Sequence, residues 1–128
     1  MQSIATDNEH NMTSNNLIYK ISPRDLWGTA EKAGVFTGAE IDIQDGFIHF
    51  STKEQAQETA DKHFAGQKDL LLVAIDAEKL GQALRYEVSR GGDLFPHLYA
   101  ELALDTVVWV REIPIDANGP HVLPFDGA

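Results

Sequence analysis

Leu17-Ile18-Tyr19-Lys20-Ile21 begins the patterned part of the chain and reads as a short strand. Ser22-Pro23-Arg24-Asp25 then predicts a helix start, with serine as the cap, proline at the first helical position and aspartate in the first turn. Leu26, Trp27, Ala30 and Ala33 give that helix a partly apolar face, and Gly34 marks its stop. Val35 to Gln44 holds no sustained period and is expected as loop. Asp45-Gly46 is a turn dipeptide leading into a predicted strand, Phe47-Ile48-His49-Phe50-Ser51. Ser51 and Glu54 have the spacing of a capping box for a second helix. On that helix Ala56, Thr59, Ala60, His63 and Phe64 recur on one face until Gly66.

The continuous apolar run Leu70-Leu71-Leu72-Val73-Ala74-Ile75 has the length of a central strand covered on both faces. Asp76 to Gly81 is expected as a turn or a single helical turn. Leu84-Arg85-Tyr86-Glu87-Val88 alternates like a strand and is broken by Arg90-Gly91-Gly92-Asp93. Phe95-Pro96-His97-Leu98-Tyr99 reads as extended, because a proline biases the residue before it away from helix. Thr106 to Val110 is the last strand. Helices early and strands late predict an α+β fold, a compact mixed or antiparallel split sheet with two early helices. Residues 1–16 and 116–128 lack apolar periodicity and are expected as tails flanking one domain over 17–115.

Charge narrows the partners. Twenty acidic against 10 basic side chains give a formal charge of −10. Such an acidic surface repels nucleic-acid phosphates and anionic lipid, so neither extended nucleic acid nor membrane is expected as partner. A small-molecule ligand held by a local basic cluster is compatible with that charge. The absence of cysteine excludes disulfides and thiolate chemistry and fits a cytoplasmic location. No close histidine pairing suggests a metal site, and no P-loop or dinucleotide fingerprint occurs.

Three groups of residues could carry chemistry. In a strand, His49 and Ser51 share a face with Phe47, at the start of a helix whose free N–H groups favour an anion. His97 and Tyr99 share a face with Phe95; the histidine suits acid–base work near neutral pH and the tyrosine suits stacking on a flat ring. Arg85 and Glu87 share a third face, one able to hold a phosphate or carboxylate, the other to stabilise a developing cation. Each group has a plain structural explanation beside the functional one: a helix cap, a plugged core, a solvated ion pair.

Four blocks, Ile18-Tyr19-Lys20-Ile21, Asp45-Gly46-Phe47-Ile48-His49-Phe50-Ser51-Thr52, Leu84-Arg85-Tyr86-Glu87 and Phe95-Pro96-His97-Leu98-Tyr99, together resemble a bacterial family known as domain of unknown function 952. The resemblance spans about residues 17–113. Ala100 stands where that family often has glycine. It implies a fold like that of ADP-ribosyltransferases, which bind NAD as substrate and transfer its ADP-ribose. It further implies that His49 and Ser51 hold a ribose, with Thr52 beside them, and that Tyr99 stacks on nicotinamide. It leaves Glu87 and Glu101 as alternatives for a glutamate that orients a ribose hydroxyl. The expected site is therefore catalytic His49, Glu87 and His97 with ligand-binding Ser51, Thr52, Arg85 and Tyr99, requiring no metal and no bound cofactor. Three readings stay open: an enzyme transferring or hydrolysing ADP-ribose, a non-catalytic ligand-binding module, and an interaction domain using Trp27, Trp109 and Phe125.

Overall fold

The computed structural model describes residues 16–115 and 119–126. All of the expected N-terminal tail but Asn16, and part of the C-terminal one, thus lie outside the described residues. The elements run β1 (Leu17–Pro23), α1 (Arg24–Ala33), β2 (Val35–Phe36), α2 (Glu40–Asp45), β3 (Ile48–His49), α3 (Lys53–His63) and β4 (Leu70–Asp76). They continue with β5 (Leu84–Val88), β6 (Leu94–Leu98), β7 (Leu102–Ala103) and β8 (Val107–Ile113). The architecture is α+β, and every strand pairing is antiparallel.

The main sheet has the order β1-β4-β8. Its middle strand is the apolar run, buried from Leu70 to Asp76 as a strand covered on both faces must be. On one face Ile18, Leu71, Val73 and Ile75 pack with Trp27 and Ala30 of α1 and with Phe36, Ile48, Phe50, Leu98 and Leu102. On the other, Tyr19, Ile21, Leu70, Leu72 and Ala74 pack with Ala60 of α3, with Phe64, and with Leu123 and Phe125 near the C-terminus. Phe125 meets Tyr19 edge-on at 5.0 Å. Trp27 is 2% exposed and belongs to the core, which removes it from any surface-contact role.

The second sheet has the order β3-β6-β5. Pro96 lies inside its middle strand and offers only a carbonyl toward β3, where Phe50 N–H donates to it at 3.0 Å. Beyond Phe50 the chain leaves this sheet. Ser51 pairs instead with Tyr19 of β1 through reciprocal backbone bonds of 2.8 and 2.9 Å. The two sheets are joined at this bridge and split on either side of it.

Several local expectations shift. Pro23 ends β1, pairing with Leu70, so α1 begins at Arg24 and Ser22 does not cap it. Thr52, rather than Ser51, flanks α3, and the Gln55 side chain returns to its N–H at 3.1 Å. The expected loop before Asp45 contains both β2 and the short helix α2. α2 is polar apart from its two isoleucines, both exposed, and so carries no apolar stripe for periodicity to find. None of the helices among the described residues is long and apolar enough to cross a membrane.

Candidate functional site

The β3-β6-β5 sheet places His49, His97 with Tyr99, and Arg85 with Glu87 on one face, without Ser51. His49 stands opposite His97, and His97 stands opposite Arg85, so one row crosses all three strands. Glu87 is two residues along β5 from Arg85 and therefore on the same face, as Phe95 and Tyr99 are with His97. Ile48, Leu98 and Leu84 point the other way into the core. Alternation thus sorts these strands into an apolar side, buried at Ile48 and Leu98, and a side that bears imidazoles, phenol, guanidinium and carboxylate.

Phe47 is the centre of the ring cluster. It stacks on His97 at 4.1 Å and 28°, and lies 4.6 Å from the His49 ring and 5.1 Å from the Tyr99 ring. Gly46, at φ 88°, closes α2 in the left-handed conformation and delivers Phe47 to this position. Arg85 lies over the outer Tyr99 ring at 4.9 Å. Glu87 Oε1 accepts from the Tyr99 hydroxyl at 2.7 Å and contacts His97 Nδ1 at 2.8 Å. Those bonds, from His97 first and Tyr99 second, hold the Glu87 carboxyl below the usual carboxylate range. The same contact with Glu87 raises the Tyr99 phenol. His97 Nε2 is buried without a hydrogen-bond partner among the described residues.

His49 is held differently. Its Nδ1 meets Asp42 Oδ1 at 2.7 Å, and its Nε2 meets Asp45 Oδ2 at 2.9 Å. Asp42 is 2% exposed and is the hub of the surrounding contacts. It takes two bonds from the Lys20 ammonium, at 2.8 and 3.1 Å, and one from Ala39 N–H at 2.7 Å. A further bond arrives from His49 N–H at 3.1 Å. Burial alone would raise the Asp42 carboxyl; the His49 and Lys20 contacts outweigh it and hold the group far below its usual value. Lys20 is itself buried, and burial lowers its ammonium although Asp42 opposes the shift. Its third donor goes to His49 O at 2.9 Å. Gly38, at φ +117°, makes room for this hub: a Cβ there would lie 2.9 Å from Asp42 Cβ.

Beside the rings runs a groove of about 310 Å³ lined by Thr37, Asp42, Ile43, Phe47, Tyr99 and Glu101, among others. Of the expected site residues only Tyr99 lines it; His49, Arg85, Glu87, His97, Ser51 and Thr52 do not. The Ser51 side chain is buried, with Oγ 2.9 Å from Thr59 Oγ1 on α3. Thr52 faces a second groove with Tyr19, Lys53 and Tyr86. The regular alternation expected to set Ser51 beside His49 stops because the strand ends at His49.

The sequence reading singles out neither Asp42 nor Lys20. A signal existed for the lysine: an ammonium inside the apolar run Ile18-Tyr19-Lys20-Ile21 needs a buried partner. For Asp42 none did, since the partner lies across a turn and a second strand. Among the described residues, no three His, Asp or Glu side chains are placed to hold a metal ion.

Fold and site define a small α+β domain with two histidines, each tied to a carboxylate, on one sheet face. The profile of the family described as "Protein of unknown function (DUF952)" matches residues 21–110, and the chain belongs to that family. It is similar to the crystal structure of protein CC0527 from Caulobacter crescentus, with 50% identity and a TM-score of 0.81 over 84% of this chain and 94% of that one. The solution NMR structure of the same protein gives 49% identity and a TM-score of 0.77 over 85% and 94%. No curated protein matches the chain.

Proposed function

We propose that the groove beside Phe47 and Tyr99 binds NAD or another ADP-ribose-containing ligand, on an ADP-ribosyltransferase-like arrangement of the split sheet, and that the protein cleaves the nicotinamide–ribose bond. The observation that carries this reading is the ring cluster itself: Phe47 and Tyr99 border the groove, with a carboxylate bound to the Tyr99 hydroxyl. Nicotinamide stacks on the tyrosine face, and Glu87 supplies negative charge where positive charge develops on the ribose. In the step, the C1′–N bond breaks, nicotinamide leaves with the electron pair, and water or an acceptor hydroxyl captures C1′ and releases a proton. Arg85, already above the Tyr99 ring, takes a ligand phosphate in this reading.

His49 contributes through Nε2. Its Asp42 contact is buried, but Asp45 is 39% exposed at the side chain, so a ribose hydroxyl can replace that carboxylate. Ser51 and Thr52 have no part in this version of the site. One observation favours a non-catalytic binding module instead: Glu87 Oε1 already serves both His97 and Tyr99.

The test is a thermal-shift series with NAD, ADP-ribose, nicotinamide and nucleotide phosphates on the wild type, Tyr99→Ala and His49→Ala. A ligand at 100 times its Kd stabilises by about 2.7 kcal/mol, a shift of several degrees. Stabilisation by NAD that is lost in both variants supports the site, and nicotinamide release then separates enzyme from binding module. No stabilisation by any of these compounds rejects the reading.

A further inference from the structure

Among the described residues the chain also carries a strand with one open edge, whose sequence is complementary to itself. β5 is an outer strand of the β3-β6-β5 sheet. Its backbone orientation is fixed by its neighbours. Tyr99 N–H donates to Ala83 O at 2.8 Å and Ser89 N–H to Asp93 O at 2.9 Å, so the odd-numbered positions of this hairpin turn toward β6. Leu84, Tyr86 and Val88 therefore direct their N–H and C=O groups to the open side of the sheet. Such an edge is a template for another strand unless it is blunted, and β5 has no proline or bulge. It is also flanked by exposed apolar side chains: Tyr86 is 49%, Val88 69% and Leu94 53% exposed.

We propose that two copies of this chain pair antiparallel through β5, about a two-fold axis at Tyr86. In that register Tyr86 faces Tyr86 of the second copy and Leu84 faces Val88, all at positions whose backbone groups point outward, so the hydrogen-bond phase is correct. Arg85 falls opposite Glu87 of the second copy, and Glu87 opposite its Arg85. Unlike charges meet on one face while Tyr86, Val88 and Leu94 gather on the other. The pairing is isologous and closes on two subunits. β8 is likewise an outer strand of its sheet and has exposed Val108 and Val110, but centring two copies on Trp109 sets Arg111 opposite Val107 and matches no charges. The proposal is independent of the NAD reading, although it brings a second guanidinium to Glu87.

The chain has no cysteine, so single introduced thiols report the geometry. Directly opposed residues in a hydrogen-bonded antiparallel pair have Cα atoms about 5.5 Å apart, within disulfide range. Tyr86→Cys should cross-link to a dimer on mild oxidation, whereas Val108→Cys on the β8 edge should not. By sedimentation, the wild type should gain mass with concentration. Arg85→Glu and Glu87→Arg should each remain monomeric, and their equimolar mixture should recover the dimer. Circular dichroism confirms that each variant is folded. A wild type that stays monomeric at every concentration, equal cross-linking at both cysteines, or charge variants that associate like the wild type would overturn the proposal. So would a mixture that fails to associate.

Discussion

His49 and His97 are cross-strand partners, their ring centroids 5.4 Å apart, yet each is bound to a different carboxylate. Asp42 holds the first from the buried side and Glu87 holds the second from the next strand. The two rings form one surface through Phe47 but belong to separate hydrogen-bond systems, and the two systems should respond separately to mutation.

Removing the Asp42 carboxylate leaves the Lys20 ammonium buried and uncompensated. Asp42→Ala should destabilise the protein by about 3–5 kcal/mol, the usual consequence of breaking a buried pair from one side. Urea unfolding followed by circular dichroism measures it. Asp45→Ala, which removes only the exposed contact to His49, should fall within about 1 kcal/mol of the wild type.

The same carboxylate sets an acid limit. Because the fold depresses Asp42 below its usual 3.8, its contribution is complete above that value and is lost as pH falls through it toward the folded value. Glu87 is depressed as well and acts in the same direction. Unfolding free energy should therefore decline as the pH drops from about 5 to 3, and the decline should be shallower in Asp42→Asn. An equal slope in the two proteins would show that Asp42 does not govern it.

Tyr99 ionises against the Glu87 charge. In Glu87→Gln the phenol should titrate at lower pH than in the wild type, since the contact that raises it is gone. The chemical shifts of the Tyr99 ring across an alkaline titration read this directly.

Ser51 separates the resemblance from the observed geometry. Ser51→Ala should cost about 1 kcal/mol through the lost contact with Thr59 and leave NAD affinity unchanged. A variant of wild-type stability that no longer binds NAD would restore the ribose-holding role that the motif implies.

Much of this layout is legible in the residues, because period and turn chemistry are local. The buried run Leu70–Ile75, the alternation of Arg85 and Glu87, and the shared face of His97 and Tyr99 are all set within a few residues. What fails is what depends on distant chain. Ser51 follows the expected alternation only on paper, because Tyr19 takes its backbone into the other sheet. α2 is missed since its sequence has no apolar stripe, and its purpose is visible only once Asp42 meets Lys20 and His49. Pro96 sits in a middle strand, a place proline seldom takes, because the one donor it lacks falls where β3 is ending.

That missing donor has a consequence for the whole molecule. At Pro96 the sheet can take one bond from Phe50 but cannot return one, and the next residue is captured by β1. The seam between the sheets thus begins at an atom the chain never had. Temperature, salt or a bound partner can loosen a contact, but none can supply a hydrogen to an imide nitrogen. The parting of the two sheets is in this sense a subtraction made during synthesis, present in the covalent formula before any folding begins.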